Sequence, residues 1–250
     1  MSSSTLADAA LAALAAEHAG QRLLELRALP DLRGDALGQA GDREANEIIV
    51  KLLREHRPDD ALLSEEQAPD PHRLQCSRVW IVDPLDGTRE YMEAGNRTDW
   101  AVHVALSIDG VPAASVVALP ALKELWRSDQ VLPQTARYSG KPRIVVSRTR
   151  PPALAEALAK QLDGPLLRIG SAGAKAMAVL RGDAELYVHA GGMNEWDACA
   201  PVGVALAHGL VACRFDGSAC RFYQSDPKTT ELLVGRAEWV ERARALLPSL

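Results

Sequence analysis

The densest run of chemically useful residues is Trp80-Ile81-Val82-Asp83-Pro84-Leu85-Asp86-Gly87-Thr88-Arg89-Glu90-Tyr91. An apolar strand runs into two carboxylates three residues apart, and Pro84 stiffens the turn between them. Gly87 allows the backbone to approach a ligand closely, which leaves the N–H groups of Gly87 and Thr88 to face an anion. Two aspartates aimed at one point repel each other unless a cation lies between them, and hard oxygen ligands of this kind suit Mg²⁺. Asp, Pro and Gly are also the commonest turn residues, so a bare pair of aspartates would read as a turn. The whole string, fed by an apolar strand, reads as a site for an anion and its counter-cation.

Two further acidic positions extend this set. Ser64-Glu65-Glu66 follows its own short apolar run, as Asp83 does, although adjacent glutamates on a loop are commonly just solvated. Met193-Asn194-Glu195-Trp196-Asp197-Ala198 precedes a long apolar helix, where Asp197 reads as an N-cap, a metal ligand or both, since a cap leaves one carboxylate oxygen free. A covalent aspartyl-phosphate route is excluded at Asp83-Asp86. Phosphatases of the haloacid dehalogenase type place their nucleophile two residues before the second aspartate, and that position is Pro84. In the second half, Lys175 falls one turn into a helix beginning at Ser171, where the helix dipole disfavours a cation and an anionic ligand would offset this. An ordinary exposed lysine is the alternative. Arg148 follows Ser147 at a strand end and carries the same two readings. His103 alternates within a strand and reads as structural, and Trp100, Trp126 and Trp239 read as packing residues.

These residues need elements to hold them. Residues 5–28 have helical spacing (Leu6, Ala10, Ala13, Leu14, Ala16, Leu24), residues 30–41 read as a Gly/Asp/Pro loop, and residues 42–56 as a second helix. Short strands follow at 61–63 and 78–82, then 100–108, 113–119 and 122–127 with turn residues between them, an antiparallel meander. Residues 128–142 form the expected linker. Beyond it strands at 143–147, 166–169, 185–188 and 210–213 alternate with helices at 152–162, 171–180 and 197–208, which predicts α/β with a largely parallel sheet. The expected organisation is an α+β metal-binding domain over 1–140 and an α/β specificity domain over 141–250, with no internal repeat.

Composition bounds the classes. The chain has 250 residues, 47% hydrophobic and 24% charged, which excludes disorder as the main state. Aromatics are only 4%, so the core must be built from Ala, Leu and Val. A net charge of −5 argues against a nucleic-acid polymer as partner and leaves room for a small anionic substrate held by a local cation. Cys76, Cys199, Cys213 and Cys220 lack zinc-type spacing and read as thiols. The N-terminal run has no basic leader and is broken by Asp8 and Glu17, so neither a signal peptide nor a membrane span is expected and the predicted compartment is the cytoplasm.

Glu65-Glu66, then Asp83-Pro84-Leu85-Asp86-Gly87-Thr88, then Trp196-Asp197 resemble, in order and spacing, the three motifs of the magnesium-dependent, lithium-sensitive phosphomonoesterases of the inositol monophosphatase superfamily. The resemblance spans nearly the whole chain and implies a layered α-β-α-β-α sandwich with the site where the two halves meet. Leu63-Ser64-Glu65-Glu66, Arg89-Glu90-Tyr91, Val146-Ser147-Arg148 and Gly170-Ser171-Ala172 with Lys175 are most similar to the bacterial CysQ branch, the 3′(2′),5′-bisphosphate nucleotidases. The resemblance implies Glu65, Asp83 and the Leu85 carbonyl on a first Mg²⁺ and Asp83, Asp86 and Asp197 on a second. Glu65 would also help to hold a third ion. Asp42 and Thr88 would orient and activate the attacking water, and the backbone of Gly87 and Thr88 would hold the phosphate. Arg148, Ser171 and Lys175 would contact the substrate. Many relatives carry Thr three residues before the aspartate matching Asp42, where this chain has Gln39.

The expected activity is therefore Mg²⁺-dependent removal of the 3′-phosphate from 3′-phosphoadenosine 5′-phosphate in sulfate assimilation, with the related adenylyl sulfate as a further candidate substrate. The alternatives are an inositol-1-phosphate or fructose-1,6-bisphosphate phosphatase and, in a different class, a non-catalytic binding protein on the same fold. The intact set Glu65, Asp83, Asp86, Thr88 and Asp197 argues against the last. A homodimer is compatible with the sequence.

Overall fold

The computed structural model describes residues 6–93, 95, 97–131 and 140–249. The chain opens with two helices, α1 (Asp8–Ala28) and α2 (Gly34–His56). The first sheet follows as β1 (Ala61–Ser64), β2 (Arg78–Asp86), β3 (Ala101–Ile108), β4 (Val111–Leu119) and β5 (Glu124–Arg127), with a five-residue helix α3 (Thr88–Met92) between β2 and β3. The second half contains β6 (Ile144–Ser147), α4 (Ala153–Leu162), β7 (Leu166–Ile169), α5 (Ala172–Arg181), β8 (Leu186–Asn194), α6 (Glu195–Ala207), β9 (Val211–Cys213), β10 (Lys228–Gly235) and α7 (Ala237–Leu246).

The first sheet has the order β1-β2-β3-β4-β5, antiparallel except for β1 with β2. The second has the order β7-β6-β8-β10-β9. Helices α1 and α2 cover one face of the first sheet, α5 and α6 lie between the sheets, and α4 and α7 cover the outer face of the second. The result is the expected α-β-α-β-α sandwich. Period-two alternation shows why both sheet faces must be covered. On β2, Trp80 and Val82 pack toward the outer helices while Val79 and Ile81 pack toward the central layer. On β6, Val145 faces the central layer while Ile144 and Val146 face α4 and α7.

Three expectations change. The 30–41 loop is helical from Gly34 onward. Glycines read as loop formers in sequence, but a Cβ at Gly38 would come 2.5 Å from Met92 Sδ and 3.1 Å from Thr88 Cγ2, so this glycine lets α2 lie against α3. The second sheet is mixed rather than largely parallel. β6 pairs in parallel with β7 and β8, but β10 pairs antiparallel with both β8 and β9. β10 and α7 were not anticipated, because Lys228-Thr229-Thr230-Glu231 begins the strand with polar residues and only Leu232–Val234 is apolar. Residues 132–139 of the expected linker lie outside the described residues. The four cysteines are free thiols, with Cys199 and Cys213 buried and Cys76 and Cys220 partly so. No helix among the described residues is long and apolar enough to cross a membrane.

Candidate active site

In a regular strand, residues three apart point to opposite faces. Asp83 and Asp86 do not, because β2 carries an irregularity between them. Asp83 is opposite His103 and Asp86 opposite Ala101, so three steps on β2 match two on β3. This extra residue re-aims the strand end, as a bulge does. Carboxylate oxygens of Asp83, Asp86 and Asp197 then lie within 4.8 Å of one another. Asp197 arrives from the first turn of α6. The N-cap of that helix is Asn194, and Asp197 is the third helical residue of a capping box, its Oδ2 accepting from the Asn194 N–H at 2.8 Å. The reading of Asp197 as the N-cap is corrected by this capping box: Asn194 supplies the cap and Asp197, at the third helical position, accepts from its N–H, which anchors one carboxylate oxygen of Asp197.

Asp83 is 1% exposed; its Oδ1 accepts from the Leu85 N–H at 3.0 Å and its Oδ2 is buried without a hydrogen-bond partner. An orphaned buried carboxylate oxygen is costly, and a divalent cation would satisfy it. Glu65, held at the end of β1 by its N–H to the Val82 carbonyl at 3.2 Å, brings its carboxyl to Asp83. Oxygen-only donors, mutual crowding and an unsatisfied oxygen together fit hard divalent ions such as Mg²⁺.

The electrostatics describe the same crowding. Burial, then the Asp197 charge, pushes Glu65 up to about 7. Burial and the neighbouring Asp86 push Asp197 up to about 6. Complete burial, then Glu65, Asp86 and Asp197, raises Asp83 well above the usual carboxylate range. Asp86 goes the other way. Burial alone would raise it, but His103, Lys175 and the Gly173 N–H hold it down at about 2. His103 Nε2 lies 3.1 Å from Asp86 Oδ2, and its Nδ1 lies 3.1 Å from the Trp196 carbonyl. Sequence reading placed His103 as structural; it is fully buried, directly behind a predicted metal ligand. The signal that could have found it is its register opposite Asp83, which is a property of strand pairing and not of local pattern.

Gly87 has φ +89°, the left-handed region that suits glycine, and starts α3. Thr88 Oγ1 lies 3.0 Å from the Leu85 carbonyl and 3.4 Å from Asp42 Oδ1, so Asp42 on α2 and Thr88 on α3 do meet. Burial and then Glu66 raise Asp42 to about 7. Glu65, Asp86, Gly87, Thr88, Ser171 and Asp197 share the lining of one cleft of about 300 Å³ with Arg89, Glu90, Ser147, Thr149, Arg150, Gly170 and Asn194. The far wall is tied on through Asp99, whose Oδ2 accepts from the Gly170 N–H at 2.7 Å and whose carbonyl accepts from the Ser171 N–H at 3.1 Å.

Ser171 is the N-cap of α5, its Oγ accepting from the Ala174 N–H at 2.8 Å. Lys175 is 4% exposed, which removes the reading of an ordinary surface lysine. Its Nζ donates to the carbonyls of Gly170 and Ser171 at 2.5 and 2.8 Å and lies over the Tyr187 ring, and burial lowers it to about 8. Arg148 donates to Glu90 Oε1 at 2.8 Å and also to Glu93, so this guanidinium joins α3 to the end of β6.

The described site sits within a broader likeness. The family model described as "Inositol monophosphatase family" matches residues 5–248. A "3′-phosphoadenosine 5′-phosphate phosphatase" of Mycobacterium leprae is 49% identical over 249 residues, covering 93% of this chain and 90% of the relative. A "3′(2′),5′-bisphosphate nucleotidase CysQ" of Escherichia coli K12 is 33% identical, covering 68% of this chain and 73% of the relative. Among solved structures, CysQ from Bacteroides thetaiotaomicron superposes with a TM-score of 0.80 at 25% identity, covering 92% of this chain and 97% of the other. An inositol monophosphatase from Anabaena superposes with a TM-score of 0.75 at 22% identity, covering 95% and 94%, a likeness of fold alone.

Proposed function

The chain belongs to the inositol monophosphatase family, and from that premise we propose that it is a Mg²⁺-dependent phosphomonoesterase that hydrolyses the 3′-phosphate of 3′-phosphoadenosine 5′-phosphate to AMP and phosphate. The observation that carries the reading is the convergence of Asp83, Asp86 and Asp197 within 4.8 Å beside Gly87-Thr88. The name borne by the 49% identical relative supports the choice of substrate.

In this proposal Glu65, Asp83 and the Leu85 carbonyl hold one ion, Asp83, Asp86 and Asp197 hold a second, and Glu65 helps to hold a third. Bound ions supply Lewis-acid stabilisation of charge on the attacking and leaving oxygens. The rest falls to the chain. Thr88 has one hydroxyl proton and two acceptors in reach, Leu85 O and Asp42 Oδ1. When it donates to Asp42, its lone pairs are free to accept from the attacking water. Asp42, raised to about 7, is then suited to take up a proton near neutral pH. The Gly87 and Thr88 N–H groups stand at a helix start without intrahelical partners and hold phosphate oxygens. Arg148 and Lys175 position the cleft walls, through Glu90 and through the Gly170 and Ser171 carbonyls. The activity would clear an inhibitory by-product of sulfate assimilation in the cytoplasm, with Li⁺ as an inhibitor at a Mg²⁺ position.

The test is a steady-state comparison of 3′-phosphoadenosine 5′-phosphate, inositol-1-phosphate and fructose-1,6-bisphosphate with Mg²⁺, repeated across a Li⁺ titration. The bisphosphate nucleotide should show the highest kcat/KM and Li⁺ should suppress it. A higher value for either of the other esters overturns the substrate assignment.

A further inference from the structure

The three carboxylates that converge in the cleft come from different parts of the fold. Asp83 and Asp86 lie at the end of β2 in the first sheet, whereas Asp197 stands in the first turn of α6. Like charges push these groups apart, so their spacing must be set by contacts behind them. Asp86 is gripped on one oxygen: the Gly173 N–H donates to its Oδ2 at 2.8 Å, and His103 Nε2 lies 3.1 Å from the same atom. Asp197 is likewise anchored through Oδ2, which accepts from the Asn194 N–H.

His103 meets every branch of this arrangement. Its backbone stands opposite Asp83 in the β2–β3 register. One ring nitrogen faces Asp86, and the other, Nδ1, lies 3.1 Å from the carbonyl of Trp196, the residue before Asp197. The ring therefore spans from a ligand in the first half of the chain to the turn that carries a ligand in the second. It is fully buried and closely confined, since a Cβ at Gly173 would come 2.2 Å from its Nε2. Packing alone does not call for an imidazole here. The flanking Val102 and Val104 are buried too, and an apolar side chain would fill the same space without the cost of burying two ring nitrogens.

We propose that His103 is a positioning residue for the acidic cluster: its ring holds Asp86 Oδ2 and the Trp196 carbonyl at one separation, so that Asp86 and Asp197 each present Oδ1 to the same ion. The proposal rests on the reading above of Asp86 and Asp197 as metal ligands. Carboxylates that bind metals are oriented by outer contacts of this kind, and losing one costs about ten- to a hundredfold in metal affinity or activity.

Two amide variants separate the two contacts. An Asn amide reaches about as far as Nδ1 and a Gln amide about as far as Nε2, so His103→Asn gives up Asp86 while His103→Gln keeps it. The wild-type chain and both variants are compared in two ways: Mn²⁺ binding by electron paramagnetic resonance without substrate, and the Mg²⁺ concentration that gives half-maximal phosphate release from 3′-phosphoadenosine 5′-phosphate. His103→Asn should weaken Mn²⁺ binding and raise the Mg²⁺ requirement by about tenfold or more, whereas His103→Gln should stay within about threefold of wild type. At saturating Mg²⁺ the KM for the nucleotide should change by less than about threefold in either variant, because the ring does not touch substrate. Thermal melts record the packing cost separately. Where His103→Asn does not fold, Gly173→Ala takes its place with the same expectation, since its methyl would press on Nε2. Unchanged Mn²⁺ affinity in His103→Asn, whatever its melting temperature, overturns the proposal, and so does equal weakening in His103→Asn and His103→Gln. A wild-type chain that binds Mn²⁺ but hydrolyses no nucleotide fails the substrate assignment alone; the predicted order of Mn²⁺ affinities would then still uphold the role of His103.

Discussion

Asp86 accepts from the Gly173 N–H at 2.8 Å and faces His103 at 3.1 Å, so its carboxylate is fixed before any ligand arrives. Asp86→Asn keeps the size and the acceptor for Gly173 but removes one negative oxygen from the cluster. Activity should fall by at least about a hundredfold, the scale of a single electrostatic contributor. The fold should survive, since less like-charge repulsion among Asp83, Asp86 and Asp197 offsets the weakened contact to His103; circular dichroism and a thermal melt check this. Near-wild-type turnover at saturating Mg²⁺ would contradict the role given to Asp86. Asp83, Asp86 and Glu65 could be found in the sequence because each follows an apolar run and the residues around them have distinctive types. His103 could not, because its relation to Asp86 exists only once β3 pairs with β2. Nor could the engagement of Arg148 by Glu90, residues 58 positions apart in the chain.

Elements hold these residues through a few close contacts. The approach of α2 to α3 at Gly38 sets how near Asp42 comes to Thr88. Gly38→Val would place carbon where Met92 Sδ and the Thr88 methyl now lie, and overpacking of this kind costs about 1–3 kcal/mol. We expect a lower melting temperature together with a lower kcat, because Asp42 moves off Thr88. A variant that melts lower and keeps its kcat would show that Asp42 is not positioned by this contact. The start of α2 was not legible because glycine in a close helix contact and glycine in a loop look alike in one sequence. The β3-β4-β5 part of the first sheet was legible as a meander, since those strands follow one another with short turns. The order of the second was not, because β10 inserts between β8 and β9, and insertion is settled by which faces remain to be covered.

At the scale of the whole molecule, the acidic cluster couples stability to pH and to metal. Asp42 and Glu65 are raised to about 7 and Asp197 to about 6. A raised carboxyl binds its proton more tightly when folded, so its contribution is present at low pH and is lost as pH rises from about 4 through about 7. Asp86, held at about 2, acts in the opposite sense: its contribution is present above about pH 4 and is lost as pH falls from there toward about 2. Mg²⁺ takes the deprotonated carboxylates, so the rise in Tm that it produces should be small at pH 5 and larger at pH 8. At about a hundred times its Kd, a ligand adds about 2.7 kcal/mol, or roughly 5–10 °C for a chain of this size. An increment that stays the same from pH 5 to pH 8 would mean that the ion binds elsewhere.

In the proposed reaction this cluster hydrolyses a bisphosphate nucleotide only with a divalent ion in place. The most direct measurement is phosphate release from 3′-phosphoadenosine 5′-phosphate by protein stripped of metal with a chelator, then titrated with Mg²⁺, for the wild-type chain and Asp197→Asn. Release should stay at background without metal and recover fully on titration, and Asp197→Asn should need more Mg²⁺ and reach a lower maximum. Undiminished release by the stripped protein, or identical Mg²⁺ titrations for the two chains, would contradict that requirement.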